Sequence, residues 1–237
     1  MKPEKYKRIE LDGNELPWVD NVKHLGHLLQ SDNSMRRDLA IKRGTFIGKT
    51  NSLLQEFCSA SPAVLFKLLN SFATNMYGSN LWNLFGKDSE KLYTSYNVAM
   101  RNILNIDRRT HRYMLEPSSE TLHMKAMLTS RFISFHHSLR SSSKFPVRFL
   151  AHLFEGDLRT VHGKNLSEIS LLCEQPVQKL TPKLVKSKLR YFPVPEEEQW
   201  RIPLCKELLK LREDGDYFLP GFTFDEQSDL LRYVCIS

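Results

Sequence analysis

One change of hydrophobic period constrains this chain more than any other feature. Up to Leu29 the apolar residues come in short runs broken by turn residues, and after Ser34 they recur at helical spacing. Such a chain folds as a small β segment followed by helices. Ile9-Glu10-Leu11, Leu16-Pro17-Trp18-Val19 and the run from Val22 to Leu29 read as three short strands of one antiparallel ribbon, with a turn at Asp12-Gly13-Asn14. Pro17 has no N–H for a ladder, so it fits only an edge or a bulge. A ribbon this small is marginal unless another element covers it.

Beyond Ser34 the spacing predicts a helix over 35–58, with Leu39, Phe46, Thr50, Leu53 and Phe57 in one stripe. Ser61-Pro62 opens a second, through Val64, Leu65, Leu68, Leu69, Phe72 and Met76, which Tyr77-Gly78 ends. Asp88 or Ser89 caps a third, with Leu92, Tyr96, Met100, Ile103 and Leu104 inward. Pro117-Ser118-Ser119-Glu120 reads as the start of a long helix that breaks at Ser141-Ser142-Ser143. Shorter helices follow around residues 147–154, 166–173, 182–189, 197–211 and 226–234, punctuated by Pro176, Pro182, Pro193, Pro195, Pro203 and Pro220. The expected fold is therefore mostly α. It divides into a ribbon over 1–30, a helical domain over 31–143 and a looser helical appendage over 144–237.

A formal charge of +7 favours a polyanionic partner, and its distribution is more informative than its size. Basic residues dominate 36–49, 101–148 and 179–190, whereas acids outnumber them from Glu196 onward. A polyanion would meet the first three stretches and not the tail. Cys58, Cys173, Cys205 and Cys235 lie far apart without zinc-finger spacing, and read as reduced, buried thiols. Residues 1–10 lack an apolar signal core, and no stretch approaches the roughly 18 apolar residues of a membrane span. The expectation is an intracellular protein, in nucleus or cytoplasm, with no membrane partner.

The chemistry-bearing residues are sparse. Two-metal catalysis needs carboxylates clustered so that the ions sit about 4 Å apart, and no Asp-Asp pair occurs. Asp214-Gly215-Asp216 reads as a turn, and Glu196-Glu197-Glu198 as an acidic first helical turn. His136 and His137 are neighbours on a helix and diverge by about 100°, while His24 and His27 would face opposite sides of one strand. No nucleophile elbow and no phosphate-binding loop is present, since Gly44 to Thr50 has the wrong spacing and lies within a helical pattern. No catalytic residue and no metal site is expected. A hydrolase using His111, His123 or His136 would require bound metal.

The strongest physical feature is the helix over 35–58. Arg36 and Arg43 flank its apolar stripe on one side, Lys42 and Lys49 on the other. These side chains could reach phosphates while the stripe packs on protein. They could also snorkel at the core edge and stay solvated, which geometry alone favours.

The order of these segments resembles the end of the reverse transcriptase of non-LTR (LINE-type) retrotransposons, jockey-like elements above all. The resemblance runs over residues 6–170. It rests on Ile9-Glu10-Leu11-Asp12-Gly13, Trp18-Val19, the "K-H-L-G" of Lys23-His24-Leu25-Gly26 and the basic helix. It continues through Tyr77-Gly78-Ser79-Asn80-Leu81-Trp82, Thr110-His111-Arg112-Tyr113, Arg131-Phe132 with Phe135, and Gly163-Lys164-Asn165-Leu166. It implies that the ribbon is the last part of the palm and that the helices form the thumb, which holds the RNA/DNA template-primer duplex. Lys23, His24, Arg36, Arg37, Lys42, Arg43 and Lys49 then become the candidate nucleic-acid contacts.

The family's catalytic Tyr-x-Asp-Asp motif, which binds Mg2+, has no match here, nor does its endonuclease or terminal zinc knuckle. The resemblance thus implies a truncated polymerase with no cofactor of its own and a residual binding role. The alternative is a helical protein–protein interaction module with no nucleic-acid role, docking through its acidic tail.

Overall fold

The computed structural model describes residues 10–24, 26–32, 34–189, 196–213 and 224–236. Ile9, Leu25, Arg190, Pro193, Pro195, Pro220 and Asp214-Gly215-Asp216 lie outside the described residues, as does the side chain of Cys235.

The β segment is two separate hairpins, not one three-stranded ribbon. Strand β1 (Glu10–Leu11) pairs with β2 (Asn14–Glu15) across Asp12 and Gly13, which take φ of 51° and 77°. Strand β3 (Asn21–His24) pairs with β4 (His27–Gln30), Val22 opposite Leu29 and His24 opposite His27. The expected middle strand over Leu16 to Val19 does not form. Pro17 cannot donate to a ladder, and Trp18 and Val19 stay exposed, so no buried face holds them in register.

The rest is helical, as the period predicts. Helix α1 (Arg36–Glu56) is followed by α2 (Pro62–Leu68), whose proline sits at the first helical position as expected. The chain then widens into one π-type turn, Leu69–Ala73, where the Thr74 N–H reaches the Leu69 carbonyl at 3.1 Å. That widening turns Phe72 out to solvent, although helical spacing had placed it inward.

Helix α3 (Lys87–Leu104) starts one residue before the expected cap. Ser89 donates its hydroxyl to the Asn83 carbonyl at 2.6 Å instead of capping. Its five predicted inward residues are all buried. Asn105 ends it in the left-handed conformation at φ 50°, and the Ile106 N–H returns to the Arg101 carbonyl at 3.1 Å.

The largest boundary correction falls at Pro117. It lies inside α4 (Arg112–Ser119), and Glu120, at φ 54°, closes that helix. The proline has no N–H to give to the Tyr113 carbonyl four residues earlier, and the helix ends two residues after it. Helix α5 (Met124–Arg140) begins instead at His123, whose ring accepts the Lys125 N–H at 3.1 Å as the N-cap. Then come α6 (Phe145–Glu155), α7 (Val161–Cys173), α8 (Pro182–Leu189), α9 (Arg201–Glu213) and α10 (Phe224–Ile236).

Helix α3 packs on α1 and α4, α4 on α9, and α9 on α10. Helix α5 packs on α6 and α8, with α7 against both of those. One buried cluster runs from Leu39 in α1 to Val234 in α10, through Trp82, Tyr96, Phe132, Leu166, Val185 and Cys205. Cys173 and Cys205 are buried thiols as expected, whereas Cys58, in the turn after α1, is exposed.

The β3–β4 hairpin is covered from two sides. Asp38 of α1 is 2 % exposed, and its Oδ1 accepts the Leu28 N–H at 3.3 Å. Its Oδ2 accepts from the Trp82 indole at 2.9 Å and from His27 Nδ1 at 3.4 Å. Gly78, at φ +78°, lies against the His27 ring, and a Cβ there would fall 1.5 Å from His27 Cε1.

Two stability outcomes follow. Gly78→Ala combines left-handed backbone strain with overlap of the imidazole and lowers unfolding free energy by about 3 kcal/mol. Asp38→Ala strands a buried indole N–H and a backbone N–H and costs about 3 kcal/mol, with Asp38→Asn intermediate. Urea denaturation of each variant measures both, and wild-type midpoints would refute the junction.

Candidate nucleic-acid interface

All seven candidate contacts fall on the β3–β4 hairpin and α1, but they do not form one surface. On α1, Arg36 and Arg43 lie two turns apart on the flank facing α3, and Lys42 and Lys49 on the flank facing the hairpin and the π-type turn. Arg37 projects from the opposite, solvent side of the helix.

Their hydrogen bonds separate them further. Lys42 donates to the Gly26 carbonyl at 3.3 Å, and Lys49 to the Phe72 carbonyl, in the widened turn, at 3.0 Å. Each ammonium therefore fastens α1 to a neighbouring segment. Arg36 approaches Asp88 at 3.4 Å, and the Lys91 ammonium, then Arg36, hold that carboxyl below its ordinary range. Lys23, His24, Arg37 and Arg43 make no side-chain hydrogen bond or ion pair among the described residues. His24 lies across the strand pair from His27, on the same face and not the opposite one, because the turn between them reverses the chain.

The second basic stretch is partly structural. Arg101 gives two N–H groups to the Thr110 carbonyl at 3.1 and 2.6 Å. Arg131 donates to the Thr74 carbonyl at 3.0 Å, and Arg148 to the Ser142 carbonyl at 2.8 Å. Nothing in sequence spacing signals these bonds, since donor and acceptor are 9, 57 and 6 residues apart.

Three of the segments that carried the resemblance meet at one place. Asn165 accepts the Leu84 N–H at 3.0 Å and donates to the Trp82 carbonyl at 2.8 Å, while Trp82 itself donates to Asp38. Gly163, two residues away, faces the Asp157 carbonyl so closely that a Cβ would come within 2.3 Å.

The histidines behave differently from their spacing. His123 is buried against Tyr93 and Tyr96 with both ring nitrogens in use, one accepting from Lys125 and the other donating to Asn97 Oδ1 at 2.9 Å. Burial first, then Arg112 and Lys125, lowers its pKa to about 4. His111 is exposed and stacks on Tyr113. His136 is buried and meets His162 of α7, Nδ1 to Nε2, at 3.0 Å. Burial, then His162, lowers the His136 pKa to about 4. His162, also lowered by burial, is a partner that adjacency along the chain could not reveal. Among the described residues no three His, Cys, Asp or Glu side chains converge as metal ligands, and no helix is long and apolar enough to cross a membrane.

No family model matches the chain, and no curated protein or solved structure matches it.

The depressed histidines give a pH dependence with a definite sign. Between the ordinary value of 6.5 and about 4, the unfolded chain binds more protons than the folded one. Stability is therefore full above pH 6.5 and falls as pH drops toward 4, by roughly 2–3 kcal/mol for His123 alone. Urea midpoints for wild type and His123→Asn from pH 7.5 to 4.5 test this; the variant keeps a capping oxygen, and its curve is flatter.

Proposed function

We propose that this chain is the thumb-bearing portion of a non-LTR retrotransposon reverse transcriptase and that it binds an RNA/DNA template-primer duplex without catalysing its extension. The supporting observation is the fixed setting of the basic residues. Helix α1 is locked to the hairpin by Asp38 and Lys42 and to the widened turn by Lys49, which leaves Arg37 and Arg43 uncommitted on a rigid support. Phosphate contacts from such a support carry position without base sequence. The net charge of +7 draws a polyanion toward the chain.

The reading ranks the residues. Arg43, Arg37, Lys23 and His24 can reach a backbone at no structural cost, whereas Lys42, Lys49 and Arg36 must first give up a carbonyl or carboxylate. In fluorescence anisotropy with a labelled RNA–DNA hybrid, the slope of log K against log salt drops by about 1 for each of Arg37→Ala and Arg43→Ala. Arg159→Ala, which removes a side chain paired with Asp157, leaves the slope unchanged. Equal slopes in all three variants and wild type refute the interface.

A second reading, a helical interaction module with no nucleic-acid role, is favoured by α6. Phe145, Phe149, Leu150 and Leu153 lie exposed along it while its Ala151 is buried. A surface of that kind is unusual unless a partner covers it. That reading expects no retention of the hybrid at any salt concentration, so the same titration separates the two.

A further inference from the structure

The C-terminal end of α5 carries a cavity of about 530 Å³, lined by His136, His137, Arg140 and Ser141 from the helix and by Val177 and Gln178 from the turn before α8. No carboxylate is among its lining residues. Two of its groups hold donors that no hydrogen bond among the described residues uses. His136 is 1 % exposed, yet its Nε2 has no hydrogen-bond partner among the described residues. Arg140, one helical turn on, makes no hydrogen bond among them either, its ion pair with Glu155 being long at 3.6 Å. A buried ring nitrogen without a partner is rare and costly in a folded protein.

The surroundings decide what would satisfy it. From α5 come His136, His137 and Arg140; from α6, His152 and Glu155; from α7, His162. Glu155 is the single acid of this group and balances Arg140, and burial keeps His136 and His162 uncharged, so an anion is favoured by the donors the site offers and not by net charge. His137 is spent on the Leu180 carbonyl at 2.8 Å and serves as a wall. The carbonyl end of α5 works against an anion, but Ser141 caps the His137 carbonyl through both N–H and hydroxyl, and the Ser142 N–H caps Leu139. Glu155 Oε1 accepts from Gln178 at 3.2 Å and also faces Arg140 at 3.6 Å, so a ligand shares the guanidinium with that carboxylate.

We propose that this cavity is an oxyanion site that takes a phosphate group, with His136 Nε2–H and the Arg140 guanidinium as its two donors. In this arrangement His162 donates its Nε2–H to His136 Nδ1, which leaves His136 in the Nε2–H tautomer. The Arg140 fork matches two phosphate oxygens and the imidazole N–H a third. The cavity volume lies within the range of small-molecule sites, so a phosphate monoester fits as well as a backbone phosphate. The site stands apart from α1 and does not depend on the duplex-binding reading.

The test is titration of the full chain with inorganic phosphate, following the histidine ring nitrogens by 1H–15N spectra at pH 7. The expected result is the Nε2–H tautomer at His136, a saturable shift of that signal, and affinity weakened about tenfold in Arg140→Gln. Arg140 is part-exposed, so this variant keeps its fold, and circular dichroism verifies that. A nucleoside monophosphate and a short RNA–DNA hybrid, run as parallel arms, tell a small phosphorylated ligand from a backbone by whichever binds more tightly than inorganic phosphate. Shifts reproduced by chloride at matched ionic strength, unchanged affinity in Arg140→Gln, or the Nδ1–H tautomer at His136 each overturn the proposal. Arg43→Ala leaves the phosphate titration unaltered, so failure of this site and failure of the α1 interface are read separately.

Discussion

The Asp38 carboxylate is the contact on which the arrangement of the other elements depends. A buried carboxylate must have its lone pairs occupied, and here two donors come from β4, the Leu28 N–H and the His27 ring, and the third is the indole of Trp82, far along the chain. Satisfying one group therefore fixes a hairpin, a helix and a loop relative to each other. The hairpin has little core of its own, with Val22 exposed and Leu28 and Leu29 part-buried. Its position is set by polar bonds more than by apolar burial, which is how so small a ribbon keeps one orientation.

Trp82 extends that junction into the second half of the chain. Its indole is spoken for by Asp38, and its carbonyl, with the Leu84 N–H, is taken by Asn165 from α7. The loop between them is thus clamped on both sides by side chains 44 to 83 residues away in sequence. Tyr93 adds a bond to the Leu84 carbonyl at 2.8 Å. Loop backbone buried among helices needs such partners, because no ladder supplies them. The helices after residue 143 consequently share one core with those before it.

The same economy bears on the basic residues. An arginine or lysine on a helical protein can screen carbonyls at turns, pair with a carboxylate or remain free, and this chain uses all three. Lys42, Lys49, Arg101, Arg131 and Arg148 fasten turns, Arg36 pairs with Asp88, and Arg37, exposed, and Arg43, part-buried, make no side-chain bond among the described residues. A positive stretch in the sequence therefore overstates the positive surface. Within the proposed interface the uncommitted residues carry the reading, and at the end of α5 the pairing of His136 with Arg140 carries the other.

By itself the sequence determined the mostly α class, the ribbon at the start, the extent of α1 and α8, the break after Arg140 and the buried row of α3. These depend on local period, on proline and on glycine, which act over a few residues and can be read there. It also showed the basic flanks of α1. What only the tertiary structure decided is which charges are free and which polar groups are buried together. Asp38 reads as one acid among basic residues until Trp82 is brought to it, and His136 reads as half of a diverging pair until α7 presents His162. Those meetings depend on chain segments 26 to 83 residues apart packing into one core, and no local pattern encodes a distance of that kind.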